Sequence, residues 1–239
     1  MTTVAIIGAG PLGRWLALSA ARAGFRVLLE DVMPANLHHA QEMLRRELGP
    51  AYFAEQLSSG ASLEGDARSE CGSPPRRAGF RVSAAADFAQ DDRQGGAADS
   101  AQDDSHGGAA GSAQDDSAVG VAFVSTIEDA VRDADLAIDC VPDELESKLE
   151  ILWLLDRMAP PRTVLATPTT RLSIADLANC TYRPDKCVAI AAEASSLAAE
   201  MSGEILLRTT SRTSAETLEL VEGFWRRLGL AAKVAVDSD

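Results

Sequence analysis

Three glycines open the chemistry of this chain. Gly8-Ala9-Gly10-Pro11-Leu12-Gly13 follows directly on the apolar run Val4-Ala5-Ile6-Ile7 and precedes a stretch with helical character. A GxGxxG spacing alone is weak, because glycines recur by chance. At the joint of a strand and a helix it has a mechanism. The first glycine makes a tight turn, the second lets backbone approach a pyrophosphate, and the third lets the helix pack close on the strand. The helix N-terminus adds unpaired N–H groups and a partial positive charge for the phosphates. Asp31 stands 18 residues past Gly13, at the end of the run Arg26-Val27-Leu28-Leu29. A carboxylate there accepts hydrogen bonds from ribose hydroxyls and repels a 2′-phosphate, so NAD rather than NADP is the expected cofactor. Gly8, Gly10, Pro11, Leu12, Gly13 and Asp31 are its expected contacts. Glu30, one residue earlier, is expected to point to the opposite side of the strand.

Other chemistry is harder to find. Cys71, Cys140, Cys180 and Cys187 form no CxxC pair, and no metal site is expected. Cys140 and Cys187 lie in apolar runs, where buried reduced thiols are ordinary. His38 and His39 fall on a helix near the adenosine side and read as surface residues, and His106 is the last histidine of the chain.

These residues need elements to hold them, and the pattern supplies strands alternating with helices. Trp15 to Ala23 continues as a helix that stops at Gly24, and Pro34 to Leu48 forms a second. Val121-Ala122-Phe123-Val124, Leu136 to Val141 and Thr163 to Thr167 read as strands. Leu145, Leu149, Leu152 and Leu155 line one face of a helix that Pro160-Pro161 ends. Ser173 with Asp176, and Thr213 with Glu216, resemble capping boxes. In the last helix Leu218, Val221, Trp225 and Leu228 form the apolar stripe, closed by Gly229. The expectation is an α/β chain of the Rossmann-type, doubly wound class: a mostly parallel sheet with helices on both faces.

One segment does not fit this pattern. Ala89-Gln90-Asp91-Asp92 recurs at Ala101 and again at Ala113, a twelve-residue period filled with Gly, Ala and Ser. It has too little apolar surface to offset its ordering entropy, so residues 89–117 are expected to be a disordered insert in a single domain spanning 1–239. Seven aspartates lie in that segment against Arg93, and they account for much of the net charge of −14. Such acidity disfavours nucleic acid as a partner. No run reaches the roughly 18 apolar residues of a membrane span. With no secretory leader before the first strand, a cytoplasmic protein is expected.

Beyond the glycine motif, longer stretches resemble the 3-hydroxyacyl-CoA dehydrogenase family. The first is the region from Thr3 to Pro34. Residues 134–148, from Ala134-Asp135-Leu136 through Val141-Pro142-Asp143 to Lys148, resemble the family's ADLVIEAVPEDLELK. Ala166-Thr167-Pro168-Thr169-Thr170-Arg171-Leu172-Ser173-Ile174 resembles its ATNTSSLSI. Arg183-Pro184-Asp185-Lys186 resembles the start of RPERFIGLHFFNP. The resemblance implies an NAD-binding oxidoreductase domain of fatty-acid metabolism acting on an acyl-CoA-type substrate. It places Asp143 near the nicotinamide ribose, Lys148 on the cofactor side and Thr170 against substrate.

The same resemblance implies a histidine base beside a carboxylate. The histidine position is Ala191 here, the asparagine of NTSS is Pro168, and Glu204 lies near the dyad's glutamate. The final strand, Lys233 to Val236, resembles the one leading to the family's helical second domain, so a partner supplying that domain is expected. Three functions follow: a dehydrogenase-family NAD domain without its base, a non-catalytic NAD-binding module or subunit, or an NAD-dependent dehydrogenase for another small hydroxy acid using Glu193 or Glu204.

Overall fold

In the computed structural model, which describes residues 2–53, 120–192 and 203–237, the first apolar run becomes strand β1 (Thr3–Ile7), buried along its whole length. A strand covered on both faces needs no polar alternation, and Val4-Ala5-Ile6-Ile7 has none. From there strands and helices alternate. Helix α1 (Pro11–Arg22) leads to β2 (Arg26–Glu30), α2 (Pro34–Leu48), β3 (Gly120–Val124) and a short α3 (Ile127–Val131). Next come β4 (Leu136–Asp139), α4 (Leu145–Met158), β5 (Val164–Pro168), α5 (Ile174–Asn179) and β6 (Cys187–Ile190). The last described elements are β7 (Glu204–Thr209), α6 (Ala215–Arg227) and β8 (Ala231–Val236). The repeat at 89–117 lies outside the described residues.

The strands form one sheet in the order β3-β2-β1-β4-β5-β6-β7-β8. Every pairing is parallel except β6 with β7. The order runs backwards from β1 to β3 and forwards from β4, so crossovers leave β1 and β4 toward opposite edges. The carboxyl ends of these two strands therefore open a crevice where ligands of doubly wound sheets bind. Strand alternation divides the core between the two faces. Val4, Ile6, Val27 and Leu29 pack with α1 and with Val221, Phe224 and Trp225 of α6. Ala5, Ile7, Leu28 and Ala137 pack with Ile151, Leu152 and Leu155 of α4 and with Leu177 of α5.

Local signals set most boundaries. Ser173 caps α5 by accepting the Asp176 N–H, and α2 spans the expected residues. The cap of α6 is Ser214, which accepts the Thr217 N–H at 3.2 Å, one residue past the expected Thr213. Thr213 Oγ1 instead accepts the Thr210 N–H and holds the preceding turn. Strand β4 is shorter than its apolar run: Cys140 N–H still donates to Ile7 at 2.6 Å, but the chain then leaves the sheet toward the crevice. The antiparallel β7 carries no separate sequence signal, since its direction depends on where the chain re-enters the sheet.

Arg183 closes the α4 end. Its Nε donates to Asp156 Oδ1 at 2.8 Å, and its two Nη groups reach the main-chain oxygens of Asp156, Ala159 and Pro160. Carbonyls at a helix C-terminus have no partner within the helix, and the guanidinium provides one. Asp156 is buried, and its carboxylate is held by the Arg183 guanidinium and the Tyr182 N–H. Arg183→Met should lower stability by about 3–5 kcal/mol in urea unfolding, because it strands a buried carboxylate. Arg183→Lys should recover only part of that loss, since one ammonium cannot serve the same set of oxygens.

Candidate functional site

The crevice between β1 and β4 is a cleft of about 760 Å³, within the range of small-molecule and cofactor sites. Gly8, Gly10, Pro11 and Leu12 form one wall. Gly8 turns with φ +109°, in the left-handed region that favours glycine. A Cβ on Gly13 would stand 1.8 Å from the Gly8 carbonyl oxygen, so the third glycine is required for α1 to lie on the loop. Gly10 is different: a Cβ there would meet nothing within 4 Å. Its missing side chain leaves free space in the cleft, not room for another part of the fold. Pro11 is the first residue of α1, and no side chain caps that end. The amides of its first turn remain available to an anion.

The loop is fixed to the next strand. Gly8 N–H donates to the Glu30 carbonyl at 2.7 Å, and Ala9 N–H donates to Asp31 Oδ2 at 2.7 Å. Asp31 Oδ1 accepts the Met33 N–H at 2.8 Å, and Asn36 Nδ2 reaches both oxygens. The carboxylate is thus oriented at the cleft wall with its acceptor sites occupied, and the two 3.2 Å contacts from Asn36 are the ones a ribose hydroxyl would replace. Asp143 lines the cleft beyond β4. Its Oδ2 accepts the Thr170 N–H at 3.3 Å, while its Oδ1 is buried with no hydrogen-bond partner among the described residues. A buried acceptor without a donor is an opening for a ligand hydroxyl. Glycine cradle, oriented Asp31 and orphaned Asp143 oxygen together fit a dinucleotide.

Lys148 is placed elsewhere than expected. Its ammonium is fully buried and donates to Asp139 Oδ1, itself fully buried at the end of β4. Burial pushes the Asp139 carboxyl up, and the Lys148 ammonium beside it pulls it back. Lys148 does not line the cleft. It holds the β4–α4 corner that carries Asp143, a positioning role instead of a cofactor contact. Thr170 is exposed, with its neighbours Pro168 and Arg171 lining the cleft in its place. Arg171 Nη2 donates to the Asp143 carbonyl at 3.0 Å, and among the lining residues Arg171 is the single basic one.

The residues considered for proton transfer do not converge. Ala191 follows β6 with its N–H bonded to the Leu206 carbonyl, and Ala192 beside it lines the cleft. Glu204 begins β7, and its carboxylate is held at the surface by Lys233 Nζ at 2.6 Å. Because β7 and β8 lie two and three strands beyond β5, Glu204 is outside the cleft lining, which corrects its expected catalytic placement. Glu193 lies outside the described residues. His38 and His39 are on α2, where His38 Nε2 stands 3.5 Å from Glu42, and neither lines the cleft. Cys140 does line it, but burial and then Asp139 push its thiol up, so it remains neutral instead of becoming a nucleophile.

Sequence reasoning missed one cleft group entirely. Glu30 was set apart from Asp31 by strand alternation, but both residues line the cleft. Burial and then the Asp31 carboxylate push it up to about 7. The available signal was an ionisable residue closing an otherwise apolar strand.

The comparisons with known proteins agree with this geometry. The family described as 3-hydroxyacyl-CoA dehydrogenase, NAD binding domain, matches residues 3–67 and 77–237. A probable 3-hydroxybutyryl-CoA dehydrogenase of Bacillus subtilis is 24% identical over 185 residues, 77% of this chain and 46% of that protein. An L-carnitine dehydrogenase of Burkholderia mallei is 30% identical over 112 residues, 45% of this chain and 33% of that protein. Among solved structures, the (S)-3-hydroxybutyryl-CoA dehydrogenase of Ralstonia eutropha matches with a TM-score of 0.64 at 18% identity, covering 100% of this chain and 64% of that one. The 3-hydroxyacyl-CoA dehydrogenase of Archaeoglobus fulgidus gives 0.62 at 19%, covering 100% and 58%. These structures share the fold. The chain spans about half the length, 46%, of the Bacillus protein.

Two substitutions separate fold from site. Gly10→Val should keep the melting temperature and abolish NADH binding in a fluorescence titration, because its side chain fills only the cleft. Gly13→Ala should lose both, costing about 1–3 kcal/mol or more from the overlap with the Gly8 carbonyl. Lys148→Met tests the buried pair. It should cost about 3–5 kcal/mol by leaving Asp139 uncompensated, and adding Asp139→Asn should recover much of that in thermal unfolding. Full stability with weakened NADH binding in the single variant would instead make Lys148 a direct cofactor contact.

Proposed function

This chain belongs to the 3-hydroxyacyl-CoA dehydrogenase family through that family's NAD-binding domain, and from that premise we propose that its own task is to hold and orient NAD(H) for an oxidoreductase of acyl-CoA metabolism. NAD is its cofactor, and when bound it supplies the hydride acceptor or donor. The observation that carries the proposal is Asp31, fixed by the Ala9 and Met33 amides at the cleft wall. Its charge sits where a ribose hydroxyl is welcome and a 2′-phosphate is not. Gly8, Gly10, Pro11 and Leu12 cradle the pyrophosphate, with Gly13 holding that loop on α1. Asp143 offers its free oxygen to the second ribose.

Proton transfer to or from a 3-hydroxyl needs a base of suitable pKa within hydrogen-bond reach. The described cleft presents Ala192 where β6 ends, with no imidazole among its lining residues. Binding therefore persists where the chain's own chemistry is weak. A helical domain closing over the cleft, in a partner or in the same polypeptide, would complete substrate orientation. That orientation can account for about 7–11 kcal/mol of a barrier.

Arg171 favours a second reading. A lone guanidinium at the mouth of an otherwise acidic cleft suits a small anionic hydroxy acid, whose carboxylate it can grip bidentately. The relatives include enzymes named for hydroxybutyryl-CoA and for L-carnitine, so the substrate varies among them.

Fluorescence titration should give NADH at least about tenfold tighter binding than NADPH, a difference of about 1.4 kcal/mol. Equal affinities would remove Asp31 from the ribose. With acetoacetyl-CoA and NADH, turnover should be about 10²–10⁴-fold below that of an enzyme with a positioned base. Ala191→His alone should not restore it. Rapid, saturable NADH oxidation by the unaltered chain would refute the binding-domain reading.

A further inference from the structure

Glu30 closes β2 two residues after Leu28, on the strand face that carries it. Its register neighbours are Ile7 of β1 and Val124 of β3, both apolar. The residue is 5% exposed, lines the cleft, and has no hydrogen-bond or ion-pair partner for its side chain among the described residues. Around it the cleft is apolar: Ile127, Val141 and Ile151 line it, and so do Val32 and Met33 beside Asp31. Val32 is 83% and Met33 56% exposed, so they form an apolar rim beside Asp31. Apolar walls with one buried polar group at the floor suit a flat heteroaromatic ring.

We propose that Glu30 recognises the purine of the dinucleotide, its carboxyl hydrogen-bonding the edge of the adenine ring from the floor of the cleft while Asp31 holds the adjoining ribose. This rests on the NAD reading above and extends it to the base. The chemistry favours the protonated form. A neutral carboxyl has one donor and one acceptor, and the adenine edge offers an amine donor beside a ring-nitrogen acceptor. A carboxylate has acceptors only and would leave the ring nitrogen unmatched.

The surroundings also hold the proton. Burial and the Asp31 charge set the Glu30 carboxyl to about 7 in the free protein. Among the described residues no cation near it opposes this. On α3, Glu128 and Asp129 turn to Arg132. On α4, Lys148 is bonded to Asp139, and at the cleft mouth Arg171 lies against Asp143. Cys140 stays a neutral thiol. A bound pyrophosphate adds negative charge, which raises the Glu30 pKa further. Affinity should therefore be level below pH 7 and fall as pH rises through 7, because binding then requires uptake of a proton.

The test is NADH titration of the wild type, Glu30→Gln and Glu30→Leu between pH 6 and 9, with ADP-ribose and nicotinamide mononucleotide as competing probes. Glu30→Gln keeps a donor and an acceptor without titrating. It should match the wild type at pH 6 and exceed it about tenfold at pH 9. Glu30→Leu should bind NADH and ADP-ribose about tenfold more weakly at pH 6, because the purine's polar edge goes unpaired, with nicotinamide mononucleotide unaffected. Its melting temperature at pH 8 should equal or exceed the wild type's, since it removes a buried acid, so lost binding will not reflect lost fold. Superimposable pH profiles of the wild type and Glu30→Gln would overturn the proposal, as would unchanged ADP-ribose affinity in Glu30→Leu. Failure of the wild type to bind NADH at any pH would instead overturn the cofactor reading on which it rests.

Discussion

Helix α1 rests on the loop after β1 only because residue 13 has no side chain. The 1.8 Å that would separate a Cβ from the Gly8 carbonyl oxygen is far inside any tolerated contact. This close approach sets where α1 begins, which aims its uncapped first turn into the cleft. It also brings the loop amides to β2, where Gly8 and Ala9 bond the Glu30 carbonyl and the Asp31 carboxylate. The glycine loop and the Asp31 carboxylate are therefore a single unit. A shift in the glycine contact moves both.

The ends of the central strands carry two buried acids with opposite fates. Asp139 of β4 is paired with Lys148 of α4, and the pair ties the strand end to the helix that follows it. A buried pair of this kind is poor evidence for added stability, since desolvation offsets much of its attraction. It does define the β4–α4 corner, and Asp143 sits in that corner. Glu30 of β2 has no such partner among the described residues and borders the cleft, so its desolvation is relieved by holding a proton. One acid is used for geometry, and the other is left for whatever enters the cleft.

Cofactor binding and proton transfer depend on different parts of the fold. The first is built from β1, β2 and β4 and the loops at their carboxyl ends, held by main-chain hydrogen bonds, the Asp31 carboxylate and the Lys148–Asp139 pair. The second would depend on the end of β6 and what closes over it. There the structure presents Ala191 and Ala192, and the carboxylate of Glu204 is engaged by Lys233. Among the described residues the glycine loop and Asp31 make no hydrogen bond with the end of β6, so the side chain at position 191 does not bear on the cradle.

Much of this was legible in the sequence because its causes are local. The glycine spacing, the caps at Ser173 and around Thr213, and the buried runs of β1 and β2 follow from turn sterics, unpaired helix amides and strand burial. Each acts within a few residues. Asp31 was legible for the same reason, since it follows a recognisable strand at a set distance from the loop. What only the tertiary structure decided involves residues joined by strand order. The reversed β7 and the outward Glu204 depend on where a distant segment joins the sheet edge. Lys148 is drawn to Asp139 by the packing of α4 over β4. Alternation set Glu30 apart from Asp31, and it could not show that both line one cleft. Whether a carboxyl is solvated or buried against a ligand site depends on neighbours from β1, β3 and α3, and no local pattern encodes them.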